Sequence, residues 1–213
     1  MEIPPVVIDR LPVYARALSA LERQGREVVS SQELGSRLGV TPAQIRKDLS
    51  YFGRFGKQGR GYNVRKLLDE LHRILGLDRH WRMALVGVGK LGRAILGYEG
   101  FTPQGFRIVE AFDVNPSRVG ERISNLTVKD VNVLERVLSE NPVDVGVVAV
   151  PAEIAQDVID ALIRCGVRAI LNYAPIAARV PPGIQVKRIE PVLALQSMTY
   201  YLKNARRAAS ARG

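Results

Sequence analysis

Three glycines in the spacing G-x-G-x-x-G, at Gly87, Gly89 and Gly92, constrain the fold of this chain more than any other feature. They follow the apolar run Met83–Val86 and precede a helix-like stretch that starts at Lys90. In dinucleotide-binding βαβ units, the first glycine makes a tight turn, the second lets the backbone approach a pyrophosphate, and the third lets the helix pack closely on the strand. The helix N-terminus offers amide donors to the phosphates. The motif therefore predicts a dinucleotide-binding α/β fold.

From Trp81 onward, strand-like runs alternate with helical stretches, a pattern typical of parallel βαβ units. The predicted strands are Met83–Val86, Phe106–Phe112, Val143–Val150, Val167–Leu171 and Ile184–Ile189. The predicted helices are Lys90–Gly97, Asp130–Ser139, Ala152–Arg164 and Val192–Ala209. We expect residues 81–190 to form a Rossmann doubly wound parallel sheet that binds NAD(H), and residues 191–213 to form a dimerisation helix with a basic tail.

The acidic residue Asp113 indicates which nucleotide this fold binds. It lies 21 residues after Gly92, at the end of the second predicted strand. An acidic side chain at that place binds the ribose hydroxyls of adenosine, and its charge repels a 2′-phosphate. NAD(H) is therefore favoured over NADP(H). Domains that bind coenzyme A share glycine-rich loops and stay an alternative, although Asp113 argues against them.

An enzymatic role finds little support among the residues. Residues 81–190 suffice for a nucleotide fold but not for a substrate domain as well. Hydride transfer to a carbonyl needs a general acid, yet both histidines precede this stretch. Tyr98, Tyr173 and Cys165 form no catalytic pattern, and a single cysteine excludes a multi-cysteine metal site. We predict no catalytic or metal-binding residue; a small NAD-dependent oxidoreductase with a helical appendage is the alternative.

Two consecutive helix starts in residues 1–80 indicate a helix-turn-helix. Ser30 and Glu33 have the spacing of a capping box, in which each side chain bonds the backbone amide of the other. Thr41 and Gln44 repeat this spacing directly afterwards. Two short helices joined by a tight turn are typical of DNA-binding helix-turn-helix units. Glycine then alternates with basic and aromatic residues over 53–62, which predicts the hairpin of a winged helix.

The charge of the chain is concentrated where the helix-turn-helix is predicted. Residues 1–80 carry 14 basic and 9 acidic side chains, whereas residues 81–195 carry 13 and 12. Seven basic side chains lie between Gln44 and Lys66, against Asp48 alone. A basic segment beside a nearly neutral remainder points to a polyanionic partner. No apolar run approaches the roughly 20 residues of a membrane span, and we expect a cytoplasmic protein.

The whole chain resembles the Rex family of bacterial redox-sensing repressors. The run Ile45–Gly53, Ile-Arg-Lys-Asp-Leu-Ser-Tyr-Phe-Gly, is its most specific part. Further segments that carry the resemblance are Val29–Ser31, Phe55–Lys57, Gly59–Tyr62, the Gly87–Gly92 loop and Asn172–Pro175. The resemblance implies a homodimer whose C-terminal helix crosses to the partner. It also implies that the protein binds double-stranded operator DNA when NADH is scarce and releases it when NADH binds.

Matching positions to the family assigns roles in DNA binding. Gln44 and Lys47 are expected at base edges in the major groove and Arg46 at a phosphate, with the wing tip in a minor groove. Asp48 is expected to pair within the protein instead of contacting DNA. The predicted DNA-binding residues are Ser31, Thr41, Ala43, Gln44, Arg46, Lys47, Ser50, Arg54, Lys57, Gln58, Gly59, Arg60 and Lys66.

The resemblance also implies a set of residues around NADH or NAD⁺. The loop holds the pyrophosphate, Asp113 holds the ribose, and Tyr98 lies near the nicotinamide and the dimer seam. In the family, an acidic residue and a bulky apolar one usually precede the final helix. Here Pro191 follows Glu190, so nicotinamide contacts from that position are not carried over. The predicted nucleotide-binding residues are Gly87, Val88, Gly89, Lys90, Leu91, Gly92, Tyr98, Asp113, Val114, Val150, Pro151, Asn172, Tyr173, Ala174 and Pro175.

Overall fold

A computed structural model describes residues 3–57 and 61–210 of the chain. They belong to two compact units, Met1–Arg79 and His80–Gly213. The predicted wing-tip contacts Gln58, Gly59 and Arg60 lie outside the described residues.

The first unit is a winged helix, as predicted. Its sheet is antiparallel and has three strands, in the order β1 (Val28–Val29), β3 (Gly61–Asn63) and β2 (Gly56–Lys57). The predicted hairpin supplies β2 and β3, while the two-residue strand β1 was not predicted. In chain order the elements are α1 (Pro5–Arg23), β1 (Val28–Val29), α2 (Ser31–Leu38), α3 (Pro42–Ser50), β2 (Gly56–Lys57), β3 (Gly61–Asn63) and α4 (Val64–Leu75).

Apolar residues at helical spacing build the core of this unit. Each helix turns one apolar stripe inward, because residues three and four apart lie on the same face. Helix α1 packs along α4 and also contacts α2. The buried side chains of the four helices include Leu11, Leu18, Leu21, Leu34, Ile45, Leu49, Leu67 and Leu71.

The two predicted capping boxes form only in part. The Ser30 hydroxyl accepts a hydrogen bond from the amide of Glu33 at 3.0 Å, and the Thr41 hydroxyl accepts one from the amide of Gln44 at 3.2 Å. The reciprocal bonds were wrongly predicted. The Glu33 carboxylate pairs with two arginines instead, and the Gln44 side chain bonds Asp48. Arginines are stronger donors to the Glu33 carboxylate than a neutral backbone amide, and the Gln44 NH₂ group donates to the charged Asp48 carboxylate.

The second unit is a Rossmann fold, as predicted. Its sheet has the strand order β10-β9-β8-β4-β5-β7-β6, in which every neighbouring pair is parallel except β6 and β7. Without the edge strand β6, this is the dinucleotide-binding order. In chain order the elements are β4 (Trp81–Val86), α5 (Lys90–Leu96), β5 (Phe106–Asp113), β6 (Arg122–Ile123), β7 (Leu126–Asp130), α6 (Leu134–Glu140), β8 (Val145–Val148), α7 (Ala152–Arg164), β9 (Ala169–Asn172), β10 (Gln185–Arg188) and α8 (Pro191–Ser210).

The β6–β7 hairpin is the main departure from the prediction. Residues 126–130 form a strand beside β5, and α6 begins at Leu134, four residues later than the predicted start at Asp130. Only Val128 of this strand is fully buried, so its apolar signal is too short to indicate a strand. The remaining predicted strands and helices exist, with ends that coincide or differ by at most two residues.

Side chains alternate across the sheet and bury both of its faces. Met83 and Leu85 of β4 pack on the α5 side, and Ala84 and Val86 pack against α6 and α7. A parallel strand buried on both faces is apolar throughout, which explains the continuous apolar run that precedes the glycines. No helix within the described parts of the chain is both long and apolar enough to cross a membrane.

Candidate nucleotide-binding and DNA-binding sites

The turn between β4 and α5 requires glycine at two of its three motif positions. Gly87 has a φ of +97°, and a β-carbon there would overlap the carbonyl oxygen of Ala149. A β-carbon on Gly92 would overlap the carbonyl oxygen of Gly87. At Gly89, by contrast, the nearest atom to a β-carbon is an Arg118 nitrogen, 3.9 Å away. The first and third glycines therefore shape the turn, and the second leaves room above the backbone for a ligand.

The carboxylate of Asp113 ties this turn to the end of β5. It is 4% exposed. Its Oδ2 accepts the amide hydrogen of Val88 at 2.7 Å, and its Oδ1 accepts that of Asn115 at 2.8 Å. Burial raises the pKa of the Asp113 carboxyl, but the two amides and the Arg118 guanidinium outweigh it and hold the pKa below its ordinary value. A fixed anion thus stands beside the glycine turn.

Arg118 is a residue that sequence reasoning missed at this site. Its Nη1 lies 3.1 Å from Oδ2 of Asp113, and its side chain reaches over Gly89. The positive charge offsets the carboxylate, so the repulsion of a 2′-phosphate is weaker than Asp113 alone predicts. No motif spacing marks this arginine, which lies in a loop between β5 and β6.

The carboxyl ends of the central strands bring most predicted nucleotide-binding segments to one edge of the sheet. Val86, Val148 and Asn172 are register partners on β4, β8 and β9. The glycine turn, residues 149–151 and residues 173–175 follow these three positions and share that edge. It is also where the strand order reverses, between β4 and β8. Ligands of open α/β sheets bind at such a switch point.

The loop that follows β9 is held by side-chain amides. Asn172 is fully buried, and its amide both donates to the carbonyl of Ala174 at 3.1 Å and accepts from its backbone N–H at 2.9 Å. Gln156 of α7 makes a similar pair with the backbone of Arg179, at 2.9 and 3.0 Å. The Asn172 bonds fix the predicted pocket segment Asn172–Pro175, and the Gln156 bonds hold the chain that follows it.

Other predicted nucleotide-binding side chains differ in what they can contact. The Val88 side chain is fully buried. Only the backbone of this residue can therefore contact a nucleotide. Tyr98 is 60% exposed and makes an edge-to-face contact with Phe101, with the ring centroids 4.9 Å apart. Leu91 and Val114 are also exposed. Exposed apolar side chains of this size can contact a bound ligand or a protein partner.

In the first unit, helix α3 has one buried face and one exposed, charged face. Ile45, Asp48 and Leu49 are buried, whereas Arg46 and Lys47 are exposed. Ala43 and Ser50 of α3 are exposed as well, and so are the predicted DNA-binding residues Thr41, Arg54 and Lys66 outside this helix.

A cleft of about 670 Å³ lies between α2, α3 and the small sheet. It brings together four predicted DNA-binding residues, Ser31, Arg46, Ser50 and Arg54. Within it, the Arg46 Nη1 donates to the Ser31 hydroxyl at 3.0 Å. Hydroxyls and guanidinium groups grouped in this way suit a phosphate backbone.

The prediction that Asp48 pairs within the protein is confirmed. Its fully buried carboxylate accepts hydrogen bonds from Arg10 and Tyr14 of α1 and from Gln44 of its own helix. The predicted base-contacting residue Gln44 is thus already engaged in part, and the structure places it half-buried.

Comparisons with known proteins cover both units. Residues 2–50 match a family described as putative DNA-binding protein N-terminus, and residues 78–176 match one described as CoA binding domain. The redox-sensing transcriptional repressor Rex of Roseiflexus sp. (strain RS-1) is 57% identical over 203 residues, which cover 95% of this chain and 92% of that protein. The chain belongs to the Rex family. The Rex repressor of Carboxydothermus hydrogenoformans is 44% identical over 95% of this chain and 97% of its own.

Solved structures of a Rex-family repressor named RSP have the same fold along the whole chain. The complex of RSP with β-NAD⁺ and operator DNA matches with a TM-score of 0.92 at 37% identity, covering 100% of this chain and 98% of that one. The complex of RSP with β-NADH matches with a TM-score of 0.89 at 35% identity, covering 99% of each.

The last helix of this Rex-family chain exposes apolar side chains along residues 191–204, the part whose burial the structure describes. Every side chain of α8 from Pro191 to Asn204 is exposed. The large apolar side chains among them are Val192, Leu193, Leu195, Met198, Tyr200, Tyr201 and Leu202. An apolar helix surface of this extent marks a protein–protein interface.

Proposed function

We propose that this protein is a transcriptional repressor that binds operator DNA as a homodimer when NADH is scarce and releases it when NADH occupies the Rossmann unit. The observation that carries the proposal is the presence, in one chain, of a glycine turn tethered to Asp113 and of a winged helix with a basic α3. Two RSP complexes support it, because RSP binds β-NAD⁺ with operator DNA and binds β-NADH.

The second unit supplies the groups that bind the dinucleotide. The amides of residues 89–92, at the start of α5, bind the pyrophosphate, since those of Gly87 and Val88 already donate to Phe112 and Asp113. The acceptor position that Asp113 has left takes a hydrogen bond from a ribose hydroxyl. The segments after β8 and β9, including Val150, Pro151 and Tyr173, border the nicotinamide end. These side chains bring no carboxylate to the ring, and an apolar surrounding disfavours the cationic ring of NAD⁺ more than the neutral ring of NADH.

The first unit supplies the DNA contacts in two classes. Lys47 and Gln44 read base edges, and Arg46, Arg54 and Lys66 neutralise phosphates. The phosphate contacts fix the position of the protein on the duplex and make affinity fall with salt, whereas the base contacts determine which sequence is bound. The partner's copy of this unit binds the second half of a pseudo-palindromic operator.

Helix α8 is the dimerisation element. Its exposed apolar side chains are buried when the helix packs on a second copy of the chain, and two-fold pairing of identical surfaces is the commonest way to do so. The Rex relatives are transcriptional repressors. We likewise assign no catalytic residue to this chain. Its site of action is the cytoplasm, where its operator lies.

Release of DNA requires a difference in affinity between two conformations. NADH must bind the released conformation more tightly than the DNA-bound one, since a ligand with equal affinity for both shifts no population. A tenfold loss of operator affinity therefore needs a tenfold preference of NADH for the released conformation, about 1.4 kcal/mol.

Operator binding followed by fluorescence anisotropy tests the proposal. A pseudo-palindromic duplex is selected from random DNA, and NADH, NAD⁺, NADPH or coenzyme A is titrated in at fixed salt. We expect NADH to release the duplex at concentrations at which NAD⁺ and coenzyme A do not. Release by coenzyme A alone would favour the CoA-binding alternative, and turnover of a carbonyl substrate without specific DNA binding would favour the oxidoreductase.

Arg118 provides a prediction about nucleotide selectivity. The variant Arg118→Gln is expected to weaken NADPH binding about tenfold, because it removes a cation beside the 2′-position, worth about 1.4 kcal/mol. NADH binding should change less than about threefold, since a neutral hydroxyl gains little from that charge. Fluorescence titration of both nucleotides measures the two affinities. The exposed Arg136→Gln, on α6, is the control; an unchanged ratio of NADPH to NADH affinity in Arg118→Gln would contradict the prediction.

A further inference from the structure

The buried carboxylate of Asp48 uses its whole capacity to accept hydrogen bonds. Its Oδ2 takes Arg10 Nε at 2.6 Å and the Tyr14 hydroxyl at 2.7 Å. Its Oδ1 takes Arg10 Nη2 at 2.8 Å and Gln44 Nε2 at 2.7 Å. A carboxylate offers about four lone-pair positions, and all of them are occupied. A side chain bound to such a saturated, fully buried group has little freedom to reorient.

This network determines which way the Gln44 amide faces. A carboxylate only accepts hydrogen bonds, so the NH₂ group of Gln44 must point to Asp48 and its Oε1 must point elsewhere. Asp48 takes one of the two N–H donors. The amide therefore keeps one N–H donor and its oxygen acceptor, both in the plane of the amide.

A coplanar donor and acceptor complement one base in particular. Adenine presents N7 as an acceptor and its 6-amino group as a donor in the major groove, and a glutamine amide binds both. Guanine presents two acceptors there, so Oε1 would face O6 without a hydrogen. Lys47, which has donors only, suits guanine instead.

Gln44 also has the right place on the helix. It lies in the first turn of α3, which begins at Pro42, and the N-terminal residues of such a helix contact base edges. Its neighbours Ala43 and Lys47 are exposed on the same helix. Arg10 and Tyr14 belong to α1. Helix α1 therefore holds the Asp48 carboxylate, and Asp48 in turn orients the Gln44 amide.

From this geometry we infer that Gln44 reads an adenine in each operator half-site, and that Asp48 is the positioning residue that fixes the Gln44 amide for this contact. Arg10 and Tyr14 hold Asp48 in turn. The inference rests on the proposed function, since it concerns the same DNA contact. A simple stabilising pair between residues four apart on one helix would give the same bond but no base preference.

The test replaces each base pair of the selected operator in turn and measures affinity by anisotropy at fixed salt. With the wild-type protein, we expect one A·T pair per half-site whose change to G·C weakens binding by about tenfold or more. In Gln44→Leu this preference falls below about threefold at that pair, and preferences elsewhere persist. The control Lys47→Met should lose preference at a different pair.

Asp48→Asn tests the positioning role with Gln44 in place. An asparagine offers an NH₂ group as well as an oxygen, so the Gln44 amide can flip, and the adenine preference should fall as in Gln44→Leu. If Asp48→Asn does not fold, Tyr14→Phe, which removes one bond to Asp48, should lower the preference at the same pair alone. Circular dichroism monitors folding.

The outcomes separate the inference from the proposed function. Specific binding by the wild type with an unchanged base preference in Gln44→Leu would overturn the inference and leave the repressor function intact. A preference lost in Gln44→Leu but retained in a folded Asp48→Asn or Tyr14→Phe would overturn the positioning role. Absence of specific operator binding by the wild type would overturn both.

Discussion

Replacing Asp113 with alanine is expected to weaken NADH binding by about 100-fold or more and to leave operator-bound protein unresponsive to NADH. A ribose hydroxyl would lose a charged acceptor, and a hydrogen bond to a charged group contributes about 1.5–3 kcal/mol. The turn would also lose the bond between Asp113 and the Val88 amide, 2.7 Å in length. Titration of NADH fluorescence measures the affinity, and anisotropy measures release of the operator.

The neighbouring strand offers a matched control for this variant. Asp130 is the register partner of Asp113 at the end of β7 and accepts the amide hydrogen of Asn132 at 2.8 Å. Asp130→Ala removes a similar cap outside the glycine turn, so NADH binding should change by less than about twofold. Asp113→Ala should still bind operator. A normal NADH response in Asp113→Ala would exclude this carboxylate as the ribose ligand.

Replacing Arg10 with methionine is expected to destabilise the winged helix by about 3 kcal/mol at pH 7. Removing one partner of a buried ion pair leaves an uncompensated charge, which costs about 3–5 kcal/mol. The low end applies because the Arg10 side chain is 25% exposed while Asp48 is fully buried. Urea denaturation followed by circular dichroism measures the loss. Arg16→Met, at an exposed position of the same helix, should cost less than about 0.5 kcal/mol.

The destabilisation by Arg10→Met should shrink as the pH falls from 7 towards 4. In the wild type, burial raises the pKa of the Asp48 carboxyl, but the bonds from Arg10, Tyr14 and Gln44 outweigh it and lower the pKa. That stabilisation is present above the unfolded-state pKa and is lost as the pH falls through the folded-state pKa. Without Arg10, burial dominates and the carboxyl takes a proton more readily, which removes the buried charge. A penalty that is independent of pH would contradict this explanation.

Local patterns in the sequence predict much of the fold. Helix spacing and the hydroxyls of Ser30 and Thr41 locate α2 and α3 within a residue or two, because caps and apolar faces involve near neighbours in the chain. The glycine spacing predicts the turn after β4, since Gly87 and Gly92 cannot carry a β-carbon there. The position of Asp113 at the end of the next predicted strand indicates that its carboxylate lies at the nucleotide site.

The particular partner of each polar side chain is what the sequence does not reveal. The residues that hold Asp48 include Arg10, 38 positions away, and no local spacing indicates that pair. Arg118 pairs with Asp113 across a loop without a motif. The Gln44 NH₂ group donates to the charged carboxylate of Asp48, whereas a capping box would use the Gln44 oxygen to accept the hydrogen of a backbone amide.

Calorimetric titration of NADH into the free protein and into the protein saturated with operator tests most directly whether the two ligands oppose each other. Coupling between two binding sites is reciprocal, so the operator must lower NADH affinity by the same factor by which NADH lowers operator affinity. We expect that factor to be at least about tenfold for NADH and close to one for NAD⁺. Equal NADH affinities with and without operator would show that NADH does not control DNA binding.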